Sequence, residues 1–188
     1  MKVGILGGTF DPIHVGHLRA AESARECLGL DRVTFVPSRT PPHRRGPLAS
    51  PLDRYAMVAM ATAGHPAFDP SDAELRRDGP SYTVDTVAEW LRGRPGDAIV
   101  LIVGSDTFAE MSTWKDGERL LALCGVAVVA RPGEPPVDLP AGGVATVVGP
   151  GLAVSSTEIR QRIAEGRSVR YLVPEAVAEY VAKRGLYR

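Results

Sequence analysis

Two histidines, His14 and His17, stand three residues apart in the stretch GGTFDPIHVGHL, Gly7 to Leu18. That spacing puts both rings on one face of a first helical turn, beside the positive end of the helix dipole. Imidazoles so placed suit hydrogen bonds to phosphate oxygens, and Gly7 and Gly8 let a ligand approach the backbone closely. Metal ligation is the weaker alternative: no third histidine or cysteine is spaced to complete a site, so no metal ligand is assigned. A second group lies far downstream in SSTEIRQRI, Ser155 to Ile163. Ser155 and Glu158 have the spacing of a capping box, which accounts for those two residues. Ser156, Thr157 and the amides after them add hydroxyl and N–H donors at the same helix start. Arg160 follows one turn later, and the set can hold a polyphosphate.

Neither group matches the common nucleotide fingerprints. The chain has no GxGxxG or GxxxxGK[ST] after its first strand, and no acidic residue ends the second strand to hold a ribose. A dehydrogenase or a P-loop ATPase is therefore disfavoured.

Alternating strands and helices must position these residues. Lys2–Leu6 is a short apolar run closed by glycines, a buried parallel strand, and Val15–Leu28 follows as a helix. Arg32–Val36 repeats the strand signature, and Ser38–Ser50, rich in proline and arginine, reads as a loop. Ser50 as cap, Pro51 and Asp53 start a helix through Ala63 with Met57 and Met60 in the core. A short segment near Phe68–Leu75 leads to a helix from Thr83 through Leu91. Next come a strand at Ile99–Val103, an amphipathic helix from Trp114, and strands at Val126–Val129 and Val144–Val148. Helices after Ser155 and after Pro174 close the chain. The pattern predicts an α/β fold, a Rossmann-like parallel sheet with helices on both faces. In such sheets ligands bind beyond the carboxyl ends of the strands, where Gly7–His17 falls.

Composition narrows the partners. Of 188 residues, 44% are hydrophobic and 23% charged, ordinary for a folded soluble protein. The 22 basic and 22 acidic side chains leave a net charge of zero, so no bulk field draws nucleic acid or a membrane, and any anion is bound locally. Cys27 and Cys124, with no CxxC spacing, read as small buried residues in a reducing compartment. The apolar runs fall short of a bilayer span, and the expected location is the cytoplasm.

The pairing of GTFDPIHVGH with SSTEIR resembles the nucleotidylyltransferase superfamily. PPHRR (Pro41–Arg45), GPSYTVDT (Gly79–Thr86), VGSDTFAEMSTW (Val103–Trp114) and YLVPEAVAEYV (Tyr171–Val181) narrow the likeness to its bacterial nicotinate-nucleotide adenylyltransferases. The resemblance implies one nucleotidylyltransferase domain over residues 1–188, including a small C-terminal helical part. It also implies adenylyl transfer from ATP to nicotinate mononucleotide, with Mg²⁺ carried by ATP. By that likeness Gly8, Thr9 and Phe10 lie along the nucleotide, and His14 and His17 contact the ATP phosphates. Ser155, Ser156, Thr157 and Arg160 complete the phosphate cradle, while Gly104 and Asp106 line the nucleotide and ribose sites. His14, His17 and Arg160 are the implied catalytic residues. The likeness places His43 and Arg44 near the phosphates that bridge the substrates, amides around Tyr82 and Thr83 on the nicotinate carboxylate, and Trp114 against the pyridine ring. Arg44 stands where many members carry lysine. No nucleic acid polymer or membrane partner is implied, and a homo-oligomer stays open. Two other readings remain: pantetheine-phosphate adenylyltransferase, which usually has threonine where this chain has His14, and a non-catalytic nucleotide-binding regulator.

Overall fold

The computed structural model describes residues 1–41, 48–130, 144–147 and 152–188. Its parallel strands are β1 (Lys2–Gly8), β2 (Arg32–Pro37), β3 (Phe68–Pro70), β4 (Ala98–Gly104), β5 (Gly125–Val129) and β6 (Val144–Val147), in the order β3-β2-β1-β4-β5-β6. The chain reverses its direction of sheet growth between β1 and β4. The loops leaving their carboxyl ends diverge there and open a crevice.

Seven α-helices cover the sheet among the described residues: α1 (Val15–Leu28), α2 (Pro51–Thr62), α3 (Thr83–Gly93), α4 (Ser105–Ala109), α5 (Gly117–Leu123), α6 (Ser156–Ala164) and α7 (Glu175–Arg184). The predicted start of α2 holds in detail. Ser50 Oγ accepts the Asp53 N–H at 3.1 Å and donates its proton to Asp53 Oδ2 at 2.6 Å. The Ser50 hydroxyl, with Tyr180 and Arg184, holds the Asp53 carboxyl below its ordinary range.

Side-chain alternation along the strands divides the interior into two cores. Leu6, Phe35, Ile102 and Val129 face one side, where Phe10, Ile13, Met57, Ile159 and Val177 join them. Val3, Ile5, Leu101 and Val128 face the other, with Val84, Val87, Met111 and Leu120. Each large aliphatic side chain taken from water contributes about 1.5–3 kcal/mol, and Ile5 and Leu101 are each 1% exposed. The crevice between β1 and β4 thus lies between two separately packed helical layers.

Some expectations need correction. Met60 is 37% exposed while Met57 is fully buried, because only one side of α2 meets the sheet. Cys27 is exposed near the end of α1, and Cys124 is half-buried, its thiol pushed up to about 11 by burial. The helix expected from Trp114 begins only at Gly117: Trp114 is extended and Asp116 takes a left-handed φ of 50°. The short helix α4 and a 3₁₀ turn at Met111–Thr113 occupy the stretch before it. Among the described residues no helix is long and apolar enough to cross a membrane.

Candidate active site

A cavity of about 670 Å³ opens where β1 and β4 end. On one wall, the chain leaves Gly8 and turns sharply, with Phe10 in the left-handed region at φ 49° and its ring in the core. A side chain on Gly8 would meet that ring at 3.2 Å and press on it, so glycine gives the turn its closest approach there. His14 caps α1 in extended conformation, and its N–H donates to His17 Nδ1 at 3.2 Å. The two rings stack with centroids 3.7 Å apart, and His17 meets the Phe10 ring edge-on at 5.0 Å. Because Nδ1 of His17 accepts a hydrogen bond, its neutral ring carries the proton on Nε2, making that nitrogen a donor.

The start of α6 completes this wall. Ser155 Oγ accepts the Glu158 N–H at 3.1 Å, the expected cap. Ser156 Oγ donates to the Pro12 carbonyl at 2.9 Å, so its hydroxyl fastens α6 to the turn, a use the sequence pattern does not reveal. Arg160 Nη1 donates to the Asp11 carbonyl at 2.9 Å and Nη2 to Thr157 Oγ1 at 3.2 Å. Its guanidinium is therefore held in place with donors left over, since arginine carries five N–H groups.

The opposite wall has a different character. Gly104 caps α4, and a side chain on it would come within 2.7 Å of Asp106 Oδ1, which accepts the Thr107 N–H at 2.9 Å. Tyr82 caps α3, so the amides of its first turn point along the helix axis. Trp114 and Tyr82 are half-buried against the second core. Lys115, which sequence reasoning passed over, holds Nζ 4.5 Å above the Tyr82 ring and 3.2 Å from Asp85 Oδ2. Glu74 was also missed, since it lies outside the motif. It is 7% exposed and accepts from Thr86 Oγ1 at 2.7 Å. Burial pushes its carboxyl up, opposed by Thr86, Ser81 and Arg77.

The sequence-nominated residues converge on the same cavity. Gly8, Thr9, Phe10, His14 and His17 line it from β1 and α1; Ser155, Ser156, Thr157 and Arg160 line it from α6. Gly104, Asp106, Tyr82, Thr83 and Trp114 form the far side. His43 and Arg44 lie outside the described residues.

Comparison with known proteins bears on what such a cavity does. The family described as cytidylyltransferase-like matches residues 5–162. A probable nicotinate-nucleotide adenylyltransferase of Thermus thermophilus is 50% identical over 188 residues, covering all of both chains. One of Moorella thermoacetica is 46% identical over all of this chain and 92% of its own length. A Plasmodium falciparum nicotinic acid mononucleotide adenylyltransferase, solved in complex with NaAD, superposes with a TM-score of 0.82 over 99% of this chain and 97% of its own. At 19% identity that likeness concerns the fold.

Proposed function

The chain belongs to the cytidylyltransferase-like family, and we propose that within it the protein transfers the adenylyl group of ATP to nicotinate mononucleotide, giving nicotinate adenine dinucleotide and pyrophosphate in NAD biosynthesis. The observation that carries this reading is the meeting of both phosphate motifs in one cavity whose far wall offers Tyr82, Thr83 and Trp114. Full-length likeness to proteins named for this activity supports it.

The reaction is an in-line attack by the mononucleotide phosphate on the α-phosphorus of ATP, and both partners are anions. The nucleophile is already ionised near neutral pH, so no side chain has to act as general base. Alignment and charge stabilisation remain. His17 offers Nε2–H to an oxygen whose charge grows as pyrophosphate leaves. Arg160 and the first amides of α6 hold the triphosphate, and His14, stacked on His17, fixes that ring. Mg²⁺ carried by ATP would be held by the phosphate oxygens and would supply further neutralisation, while the histidines, Arg160 and amides of this wall hold the phosphates themselves. The amides at the start of α3 favour a carboxylate over a neutral amide, with Lys115 adding positive charge nearby. Trp114 supplies a face for the pyridine ring. The active unit is read as residues 1–188, with α7 packed on α2, working in the cytoplasm.

Pyrophosphate release measured with ATP and each acceptor tests the reading. Nicotinate mononucleotide is expected to give much higher kcat/KM than nicotinamide mononucleotide, and equal efficiencies would remove the carboxylate site. Release with phosphopantetheine alone would transfer the assignment to pantetheine-phosphate adenylyltransferase. ATP binding without release for any acceptor would make the protein a nucleotide-binding regulator.

A further inference from the structure

The C-terminal segment carries two tyrosines, Tyr180 within α7 and Tyr187 beyond it, that donate to two carboxylates with little exposure. Tyr180 donates to Asp53 Oδ1 at 2.8 Å, an oxygen that also receives Arg184 Nε at 3.2 Å. Asp53 belongs to the cap of α2. Tyr187, beyond the end of α7, donates to Asp11 Oδ1 at 2.8 Å. Asp11 is 5% exposed and sits inside the phosphate turn, immediately after Phe10.

Asp11 joins several parts of the phosphate half. Its Oδ2 accepts the Leu48 N–H at 2.9 Å and its Oδ1 the Ala49 N–H at 3.0 Å. Its backbone carbonyl holds Arg160 Nη1 at 2.9 Å, and the same nitrogen lies 4.0 Å from Oδ2. Behind it, fully buried Arg54 donates to the carbonyls of Thr9 and Ser38, each at 2.6 Å, which ties the turn to the end of β2. Tyr187 adopts a left-handed φ of 66°, a conformation that a non-glycine residue keeps only where surrounding contacts impose it. Burial, then the bond to Asp11, pushes its phenol far above its ordinary range, so the O–H remains a donor.

We propose that Tyr187 is a positioning residue for ATP binding, its O–H satisfying Asp11 so that Arg160 keeps donors for the triphosphate. The proposal rests on the reading of Arg160 as a phosphate ligand. A buried carboxylate that loses one of its three donors is left less compensated. The Arg160 guanidinium, 4.0 Å from Oδ2 and not committed like Arg54 to backbone carbonyls of the turn and the end of β2, is the cation placed to close on it. Arg160 then exchanges its carbonyl contact for a direct ion pair and turns from the cavity. Tyr180 makes the same kind of bond from the same segment but to Asp53 in the cap of α2, whereas the bonds of Arg160 among the described residues go to Asp11 and Thr157, and so it provides the internal control.

The test uses the full chain. Tyr187→Phe, Tyr180→Phe, Arg160→Ala and the Tyr187→Phe/Arg160→Ala double variant are compared below their unfolding transitions, recorded first by circular dichroism. Expected for Tyr187→Phe is a rise of about tenfold in the KM and Kd for ATP, on the scale of a lost hydrogen bond to a charged group, with the KM for the mononucleotide little changed. In the Arg160→Ala background the same substitution should add nothing. Tyr180→Phe should lower Tm and leave ATP affinity as it was. An unchanged ATP Kd in Tyr187→Phe, an equal rise for both substrates, or additive effects in the double variant would each overturn the proposal. Wild-type protein that binds ATP yet forms no dinucleotide would defeat the functional reading, while the ATP comparison would still decide the role of Tyr187.

Discussion

The two walls of the cavity are built on opposite faces of one sheet, and they work by different physics. The phosphate wall rests on the core that holds Phe10, Ile13 and Ile159, and its polar groups are fixed by directed bonds: His14 to His17, Ser156 to Pro12, Arg160 to Asp11. The wall read as the mononucleotide site rests on the core that holds Val84, Val87 and Met111, and it presents ring faces and a helix start beside the Lys115–Asp85 pair and Asp106. A triphosphate whose charge shifts during reaction needs donors that do not reorganise. A flat ring with one small charged group needs surface, and selects by the polarity of a few amides. Substitutions on the first wall should therefore act mainly on turnover and ATP, and those on the second on the acceptor.

The largest break in that contrast is expected from His17→Ala. Removing one donor aimed at developing charge typically costs about 10²–10³ in turnover. The fold should persist, because the His17 side chain sits at the cavity while the core below it is made by Phe10, Ile13 and Ala21. Single-turnover rates on folded protein check this, and near wild-type turnover would take His17 out of the reaction.

On the other wall, Trp114→Ala should weaken mononucleotide binding more than ATP binding. A stacked aromatic pair is worth about 0.5–1.5 kcal/mol beyond its buried area, so a KM rise of several-fold for the acceptor is expected with kcat little altered. An effect confined to ATP would move Trp114 to the first wall and erase the contrast.

The phosphate wall was the more legible of the two in sequence, for a physical reason. The residues assigned to it come from two contiguous helix starts, where histidine spacing, a serine cap and an arginine one turn on are local patterns. The strands and α1 were legible as well, from short apolar runs ended by glycine or proline. α4 was not, since Ser105–Ala109 is too short to show a helical period. Asp116 in left-handed conformation broke the helix expected from Trp114, a backbone event that apolar spacing does not report. Glu74 and Lys115, which line the cavity, and Tyr187, proposed as a positioning residue, were invisible in sequence, because each reaches its partner only through the fold: Glu74 to Thr86, Lys115 to Tyr82, Tyr187 to Asp11.

The smallest effect sharpens the comparison through two carboxyls of low exposure, one behind each wall. Asp53, on the phosphate side, is held below its ordinary range chiefly by the Ser50 hydroxyl, whereas Glu74, under the mononucleotide side, is pushed above its ordinary value of 4.5 by burial. The folded state therefore binds the Glu74 proton more tightly than the unfolded chain does. Its contribution to stability is complete below about pH 4.5 and is lost as pH rises through the folded value. Glu74→Gln removes that titration, so its Tm relative to wild type should improve as pH is raised from 4.5 and then level off. Asp53 has the opposite sign: its contribution is present above the ordinary aspartate value of 3.8 and is lost as pH falls through the lowered folded value. The deficit of Asp53→Asn should accordingly shrink in acid. Thermal melts of the three proteins between pH 3 and pH 8 read both trends at once. A Glu74→Gln difference independent of pH would mean that the mononucleotide wall tolerates the charge, and that the polar groups around Glu74 fully offset its burial.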